Sequence, residues 1–463
     1  MPLDALLAIC PNFPSPGSAS DGQAVYLHHA VQAIHRASGA RVVVAALRIA
    51  GQAAEERCAW GEIHRAEPPE PLPSVFQAYE PGRFPQTLAP LAPLARRLAV
   101  ALRAEGRHPA AWCHGYETAE TLETLRGEGL PTVAVVHYSI AQESLHDLGL
   151  ADDRVRREAV GGLLPRLLST AVPPALRPAF VRLSSRAAGV GGVLPLHRVL
   201  ALQVSKLAME RRLLEGADRI VAVGRSFAAS LGRLYPRLRP KISWCFAGAS
   251  PARARAPREA NDRLGLLMVG RPSLQKGWDY AAEALHLIER DSPQLADRLA
   301  MTAVGGLGTW EGPASVYAER VTAGFRRLRR VRFEDAGHLA PAEVEARYAA
   351  ADVLLHPAVF EPFGLVIVEA LGHGCLVVAS DTDGPRDLLR PPFGWRVPFA
   401  APRRRAANLA AALERVARLS PEERARGQAA AREACAELGW KGCAAGHLRA
   451  LEAAALRSSG DAA

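Results

Sequence analysis

Two glutamates stand eight positions apart in an otherwise apolar stretch of the sequence. Glu361 and Glu369 lie in "FEPFGLVIVEALGHG", on either side of a Pro-Phe-Gly turn. Pro362 and Gly364 suit the start of a helix, so we expect Glu361 in the preceding loop and Glu369 on the inner wall. A carboxylate inside an apolar run costs several kcal/mol unless it is hydrogen-bonded. The sequence therefore predicts a partner for Glu369, either the hydroxyls of a bound ribose or a neighbouring arginine.

A pair of cations precedes another predicted helix. Arg271 and Lys276 are five positions apart in "VGRPSLQKGW", where a strand is expected to lead into a helix. A helix N-terminus has unpaired N–H groups and partial positive charge, so two cations beside it would bind a diphosphate. The alternative is a solvated turn whose basic side chains face water, and the pair alone does not decide between them.

Further polar residues follow predicted strands. His114 ends "AAWCH" and His137 ends "PTVAVVH". Ligands of open parallel sheets bind outside the carboxyl ends of the strands, which is where these residues are expected. No Cys/His spacing indicates a metal site, and the aspartates of "DTD" are expected to form a turn rather than to bind a metal. The same placement selects the glycines of the first loop, a histidine and the first of those aspartates: Gly17, Gly22, His338 and Asp381.

The elements that must position these residues alternate between strand and helix. The chain opens with an apolar run, a glycine-containing loop, an amphipathic helix from about Ala24 to Ser38 and a second apolar run, which is typical of a βαβ unit. The alternation restarts after a stretch rich in Ala, Pro and Arg at 248–262. Since 463 residues exceed what one hydrophobic core usually supports, the sequence predicts two α/β domains.

Composition narrows the class of protein. Hydrophobic residues make up 49% and charged residues 22%, as in ordinary globular proteins. No apolar run of about 20 residues predicts a membrane span, and the N-terminus resembles a first buried strand more than a signal peptide. Seven scattered cysteines suit a reducing cytoplasm and argue against structural zinc or a disulfide framework. The net charge of +10 indicates either an anionic partner or simply a free use of arginine.

The motifs together resemble the retaining glycosyltransferases of family 4, which have the GT-B fold. "VGRPSLQKGWDYAAEAL" and "AAADVLLHPAVFEPFGLVIVEALGHGCLVVASDTDGPRDLL" match in order, over roughly Leu264 to Leu389. "CHGYETAETL", "VAVVH" and "GADRIVAVGRSF" match more loosely, and the first loop has "SDGQ" where the family often has a Gly-Gly pair. The resemblance implies an α/β protein with two Rossmann-like parallel-sheet domains that face each other across a cleft.

The resemblance also implies a division of the chain. An N-terminal, acceptor-side domain is expected over residues 1–247, with a basic insert at about 151–214. A linker at 248–262 leads to a nucleotide-sugar-binding domain over 263–435. The last segment, 436–463, is expected to be a helix that packs back toward the N-terminal domain.

Each site residue receives a role from the same resemblance. Arg271 and Lys276 would bind the diphosphate of a nucleotide-sugar donor, and Glu369 would hold the ribose hydroxyls. Glu361 would contact the donor sugar near the reacting carbon, and His137 would reach toward the transferred sugar, so these two are the predicted catalytic residues. His114 matches a less constant position and is more often structural. The remaining donor contacts would come from backbone groups of Gly17, Gly22, Gly364 and Leu365.

These roles predict retaining transfer from a nucleoside-diphosphate sugar, without a metal or other cofactor. The acceptor would be a glycan or a lipid-linked molecule, in bacterial cell-envelope polysaccharide or glycolipid synthesis. Two alternatives stay open: a catalytically inactive nucleotide-sugar-binding partner subunit of the same fold, and a sugar-nucleotide epimerase.

The basic insert also bears on partners and location. It would either lie on an anionic membrane surface or form a solvated face around the acceptor. Nucleic acid is not expected, because the basic residues lack interleaved aromatic residues. The predicted location is the cytoplasm, with peripheral attachment to the inner face of the membrane left open.

Overall fold

The computed structural model describes residues 3–14, 22–72, 84–142, 173, 196–249, 263–306 and 313–460. Gly17, most of the predicted basic insert and most of the predicted linker lie outside this part of the chain. The protein forms two compact units. The first comprises Met1–Gly248 and Trp440–Ala463, and the second comprises Ala249–Gly439.

The first unit is built on a parallel sheet. In the described residues it has eight strands, in the order β3-β4-β2-β1-β5-β6-β7-β8, and only β3 runs antiparallel to its neighbour. The central strands β1, β5 and β6 are buried along their whole length, as expected for strands with both faces covered. The elements are β1 (Ala5–Ile9), α1 (Gly22–Ser38), β2 (Arg41–Leu47), β3 (Glu55–Cys58), β4 (Gly61–Ala66), α2 (Phe84–Leu88), α3 (Leu91–Ala104), β5 (Pro109–His114), α4 (Ala119–Gly127), β6 (Thr132–Val136), α5 (Leu196–Gly216), β7 (Arg219–Ala222), α6 (Arg225–Leu234) and β8 (Ile242–Trp244).

The second unit has a parallel sheet of six strands among its described residues. Their order is β11-β10-β9-β12-β13-β14, which is that of the doubly wound dinucleotide-binding fold. The strand order reverses between β9 and β12, and ligands of such sheets bind outside the carboxyl ends of the strands at this point. The elements are β9 (Leu264–Val269), α7 (Trp278–Asp291), α8 (Pro293–Ala296), β10 (Leu299–Val304), α9 (Pro313–Arg326), β11 (Arg332–Asp335), α10 (Pro341–Ala350), β12 (Val353–His356), α11 (Leu365–Gly372), β13 (Leu376–Ser380), α12 (Asp383–Leu388), β14 (Gly394–Val397), α13 (Arg405–Ala417) and α14 (Pro421–Ala436).

The chain returns to the first unit through its last helix, α15 (Trp440–Gly460), which packs against α1. The structure divides the chain between Gly439 and Trp440 rather than at 435/436. The reason is that the helix before this point continues to Ala436 and the last helix begins only at Trp440.

The prediction of two α/β units with parallel sheets is confirmed. Among the described residues, no helix is long and apolar enough to cross a bilayer.

Candidate functional site

Two loops at the carboxyl edge of the second sheet are tied to each other. One follows β9 and the other follows β12, so they flank the reversal of strand order. The N–H of Val359 donates to the carbonyl of Gln275 at 2.7 Å. The side-chain amide of Gln275 donates to the carbonyl of Phe360 at 3.0 Å. These bonds hold the loops side by side and bring together residues that are far apart in the sequence.

A glycine makes this close approach feasible. Gly277 precedes α7 with φ of +68°, in the left-handed region that glycine adopts without strain. A Cβ at this position would lie 2.1 Å from the carbonyl oxygen of Pro357 in the other loop. Any larger residue would therefore push the two loops apart. No role was predicted for Gly277, because the residue it approaches, Pro357, is distant in the chain.

Lys276, His356 and Glu361 form a charged cluster where the loops meet. Lys276 Nζ lies 2.6 Å from Glu361 Oε2, and His356 Nε2 lies 2.9 Å from the same oxygen. Glu361 is only 7% exposed and His356 only 3%. Glu361 Oε1 has no hydrogen-bond partner in the part of the chain that the structure describes. One carboxylate oxygen is thus held by the protein while the other can accept a bond from a ligand.

The cluster keeps Glu361 ionised. Burial by itself raises the pKa of this carboxyl, but the charge of Lys276 and the hydrogen bond from His356 outweigh it and lower the pKa to about 2. Burial lowers the pKa of His356 more strongly than Glu361 raises it. The histidine is therefore neutral at pH 7 and donates its Nε2–H to the carboxylate. His356 was missed in the sequence, although it ends β12 just as the selected residues end other strands.

The free energy of unfolding should depend on the ionisation of Glu361. A carboxyl whose pKa folding lowers contributes stability above its unfolded pKa, near 4.5, and loses it as the pH falls toward the folded value of about 2. We expect a contribution on the order of 3 kcal/mol at pH 6. Urea unfolding of wild type and Glu361→Gln from pH 6 to pH 3 would show their difference shrinking below about pH 4.5. Glu437→Gln, at an exposed glutamate of the same unit, is the control. If the difference in unfolding free energy between wild type and Glu361→Gln does not change with pH, the prediction is wrong.

Glu369 reaches solvent, which corrects the prediction of a carboxylate on a buried inner wall, although partial desolvation of its carboxyl still raises its pKa. Its neighbours Val368 and Ala370 are buried, because adjacent positions of a helix point in different directions. Tyr348 donates its hydroxyl to Glu369 Oε2 at 2.8 Å. Burial and the nearby charge of Glu369 raise the pKa of the Tyr348 phenol, so it remains a donor. The protein partner of Glu369 is thus a tyrosine rather than the predicted arginine.

The start of α11 lies between the two glutamates. Gly364 precedes the helix with φ of +97°, in the left-handed region. The first N–H groups of a helix have no partner within it, so those around Leu365 are suited to binding an anion or a hydroxyl. The loop before the helix is fixed to α12, because the N–H of Gly384 in that helix donates to the carbonyl of Glu361 at 2.8 Å.

Arg271 lies in the same loop as Lys276, with its side chain exposed. Its carbonyl accepts a hydrogen bond of 3.0 Å from the indole of Trp278, a buried residue at the start of α7.

Both aspartates of the "DTD" turn lie near Arg386: Asp381 is 3.1 Å from it and Asp383 is 3.8 Å from it. His338, after β11, is exposed.

The first unit brings its two predicted histidines together. His114 Nδ1 lies 2.8 Å from His137 Nε2, and their rings stack with centroids 5.1 Å apart. Burial lowers the pKa of both rings, and the neighbouring imidazoles lower it further, so both are neutral at pH 7. His114 is fully buried while His137 remains partly exposed. Gly22 starts α1 and is exposed.

Comparison with known protein families places the chain. A family model described as "Family 4 Glycosyltransferase in conflict systems" matches residues 198–446, more than half of the chain. A D-inositol 3-phosphate glycosyltransferase of Geodermatophilus obscurus is 36% identical over 165 residues, which cover 35% of this chain and 36% of that protein. The chain spans between 36% and 52% of the length of the first three curated relatives it matches.

Solved structures show the same fold over nearly the whole chain. Sucrose-phosphate synthase from Thermosynechococcus elongatus has a TM-score of 0.64 and 18% identity, covering 95% of this chain and 96% of that one. The catalytic domain of starch synthase IV from Arabidopsis thaliana, bound to ADP and acarbose, has a TM-score of 0.63 and 14% identity, covering 98% and 99%. The likeness confirms the GT-B fold class. With the family match, it establishes that the chain belongs to the family 4 glycosyltransferases.

Proposed function

We propose that the protein is a retaining, metal-independent glycosyltransferase that uses a nucleoside-diphosphate sugar as donor. The observation that carries this proposal is the cluster of Lys276, His356 and Glu361 at the reversal of strand order in the second sheet. It combines a fixed cation with an ionised carboxylate that has one oxygen open to a ligand. The family supports the reaction class, and a structural relative bound to ADP supports a nucleotide donor.

The cations would stabilise the leaving group. Breaking the bond between the anomeric carbon and the phosphate oxygen leaves negative charge on the diphosphate. Lys276 and Arg271 stand in the loop before α7, where the partial positive charge of the helix N-terminus adds to theirs. Charges fixed before the reaction need no reorganisation as the leaving group departs, so they lower its barrier without a metal ion.

The carboxylate of Glu361 would act on the sugar. Its open Oε1 would accept hydrogen bonds from sugar hydroxyls, and its negative charge would stabilise the oxocarbenium-like transition state. Front-face attack by the acceptor, with the departing phosphate assisting its deprotonation, gives retention without a covalent intermediate. In this mechanism Glu361 positions and polarises the sugar. The alternative is double displacement, in which a covalent glycosyl-enzyme would accumulate with a fluorinated donor.

Other groups would hold the rest of the donor. Glu369, oriented by Tyr348, is assigned to the ribose hydroxyls, and the N–H groups of Gly364 and Leu365 to the sugar or phosphate. In the first unit, the sugar contact is assigned to His137, whose orientation is set by its hydrogen bond with His114. Backbone contacts to the donor are assigned to Gly17 and Gly22.

The acceptor is proposed to be a glycan or lipid-linked molecule of the bacterial cell envelope. A net charge of +10 would favour an anionic acceptor or an anionic membrane surface, at which the protein would work from the cytoplasmic side. Nucleic acid is not part of the proposal. The inactive partner subunit is the less favoured reading, because a pure binding protein has no need of a buried ionised glutamate beside its lysine.

The proposal is tested by thermal shift against a panel of nucleoside diphosphates and their sugars, with and without EDTA. We expect one nucleotide family to raise the melting temperature, and EDTA to leave the rise unchanged. NMR of the product, made with the stabilising donor, should show the anomeric configuration of that donor. If no nucleotide stabilises the protein, the proposed donor site is wrong. If a nucleotide stabilises it but no transfer occurs, the inactive partner subunit is favoured.

A further inference from the structure

A buried cluster of four reactive side chains lies in the first unit and plays no part in the proposed transfer. Its members are Tyr26 of α1, Cys245 after β8, and Cys443 and His447 of α15. The two sulfurs and a ring nitrogen of His447 lie within 4.8 Å of one another. The Tyr26 hydroxyl is 3.4 Å from Cys443 Sγ, 3.7 Å from Cys245 Sγ and 2.5 Å from His447 Nε2. All four residues are at most 4% exposed.

The two cysteines stand where the chain leaves and re-enters the first unit. Cys245 comes shortly before Gly248, the last residue of the first segment, and Cys443 comes shortly after Trp440. The backbone of α15 approaches closely here, since a Cβ at Gly446 would lie 2.6 Å from the Cβ of Cys245. A bond between the two sulfurs would therefore join the two segments of the unit without a long rearrangement.

The tautomer of His447 decides between thiol chemistry and metal binding. The indole N–H of Trp112, which can only donate, lies 3.1 Å from His447 Nδ1. Nδ1 must therefore be the acceptor, and the proton of the neutral ring sits on Nε2. A metal ion would need the lone pair of Nε2, which this tautomer does not offer. The geometry thus favours a thiol pair over a metal centre.

In this tautomer the N–H of His447 and the hydroxyl of Tyr26 are both available to donate to a sulfur. His447 Nε2–H points to the Tyr26 oxygen and to Cys245 Sγ, 3.3 Å away. Tyr26 then has its own O–H left to donate to a sulfur. Hydrogen bonds from Cys443 and from the N–H of His447 lower the pKa of the Cys245 thiol well below its usual value, whereas the pKa of Cys443 is raised. Cys245 is therefore the more acidic thiol of the pair, and Cys443 is the hydrogen-bond donor to it.

We propose that Cys245 and Cys443 are a redox-active pair that forms a reversible intramolecular disulfide, with hydrogen peroxide as the oxidant. The Cys245 thiolate attacks one peroxide oxygen, so that an S–O bond forms, the O–O bond breaks and the departing hydroxide becomes water on taking a proton from solvent. The sulfur of Cys443 then attacks the sulfenic sulfur. The S–S bond forms, the S–O bond breaks, and the hydroxyl leaves as a second water with the thiol proton of Cys443.

The burial of the pair limits the oxidant to a small molecule, which peroxide satisfies. The remaining cysteines of the described chain do not offer this chemistry. Cys113, for example, is fully buried in β5, and burial raises the pKa of its thiol. It serves as a matched control, because it is a buried cysteine of the same unit that lacks a second thiol and a histidine donor in its hydrogen bonds.

The test is a thiol count on the reduced full-length protein after a small excess of hydrogen peroxide, followed by peptide mapping without reduction. We expect two of the seven thiols to be lost, one cross-linked peptide pair containing Cys245 and Cys443, and full recovery of the thiols when dithiothreitol is added in denaturant. Cys443→Ser should abolish the cross-link and leave a sulfenic acid at Cys245, which mass spectrometry of the intact protein detects as one added oxygen. Cys113→Ser should form the cross-link as wild type does.

A second variant keeps the proposal testable if Cys443→Ser does not fold. Trp112→Phe removes the donor that fixes the His447 tautomer, so oxidation at pH 7 should be about tenfold slower as the thiolate fraction falls. An unchanged rate would contradict the part assigned to His447. The proposal is overturned if peroxide yields no Cys245–Cys443 cross-link in the folded wild type. It is also overturned if the protein purifies with a stoichiometric metal ion that must be chelated before these thiols react.

Discussion

Lys276→Ala is expected to lower the catalytic efficiency with the nucleotide-sugar donor by about 10- to 100-fold. A charge-assisted hydrogen bond contributes about 1.5–3 kcal/mol, and each 1.4 kcal/mol is a factor of ten in rate or affinity. Both donor affinity and turnover should suffer, because the diphosphate is anionic when bound and becomes more so as the sugar leaves. The measurements are kcat and KM for transfer and the Kd of the nucleoside diphosphate by calorimetry.

Lys441→Ala is the matched control for Lys276→Ala, since Lys441 is an exposed lysine of α15 in the first unit. It should retain the kinetic constants and nucleotide affinity of the wild type. Removing Lys276 also leaves Glu361 with His356 as its one remaining side-chain partner among the described residues, so circular dichroism must show that the variant is folded. If a folded Lys276→Ala protein binds the nucleotide as tightly as wild type, the diphosphate does not bind at Lys276.

The strands of both sheets could largely be predicted because parallel strands covered on both faces are continuous apolar runs. Strands β12 and β13 are examples, with every residue buried. The pair β3 and β4 was not predicted, because its sequence "EERCAWGEIHRA" mixes charged and apolar residues at the edge of a sheet. Such an edge gives no apolar run to recognise, although its charges are what protect it from pairing with another chain.

The sequence suggests candidate site residues but not how they are arranged. Lys276 and Glu361 are 85 positions apart, and only the hydrogen bonds between their loops bring them together. The burial predicted for Glu369 is corrected, and the burial of Glu361 was not predicted. Spacing along the chain shows that Glu369 is on a helix, but which side of that helix meets solvent depends on what packs against it. Glu361 is buried because its loop folds under α12 and against Lys276.

Substitutions of Glu369 and Glu361 should change different constants: the first the affinity for the nucleotide, the second the turnover. Glu369→Gln weakens bonds to a ribose that is held equally in the ground state and the transition state. Uniform binding of this kind changes affinity rather than the rate at saturation. We expect the Kd of the nucleotide to rise about tenfold, in line with one lost charge-assisted bond, with kcat near that of the wild type.

Glu361→Gln should lower kcat by about 100-fold, as the loss of one preorganised electrostatic group does in other active sites. Glutamine keeps the size of the side chain but removes the charge that faces the developing oxocarbenium centre. The affinity for the nucleoside diphosphate should not fall, because Lys276 no longer has a carboxylate to neutralise it and its full charge acts on the phosphates. Kinetics at saturating donor and calorimetry on the same preparation separate the two quantities. Weaker nucleotide binding with an unchanged kcat would assign Glu361 to donor binding and refute its role at the reacting carbon.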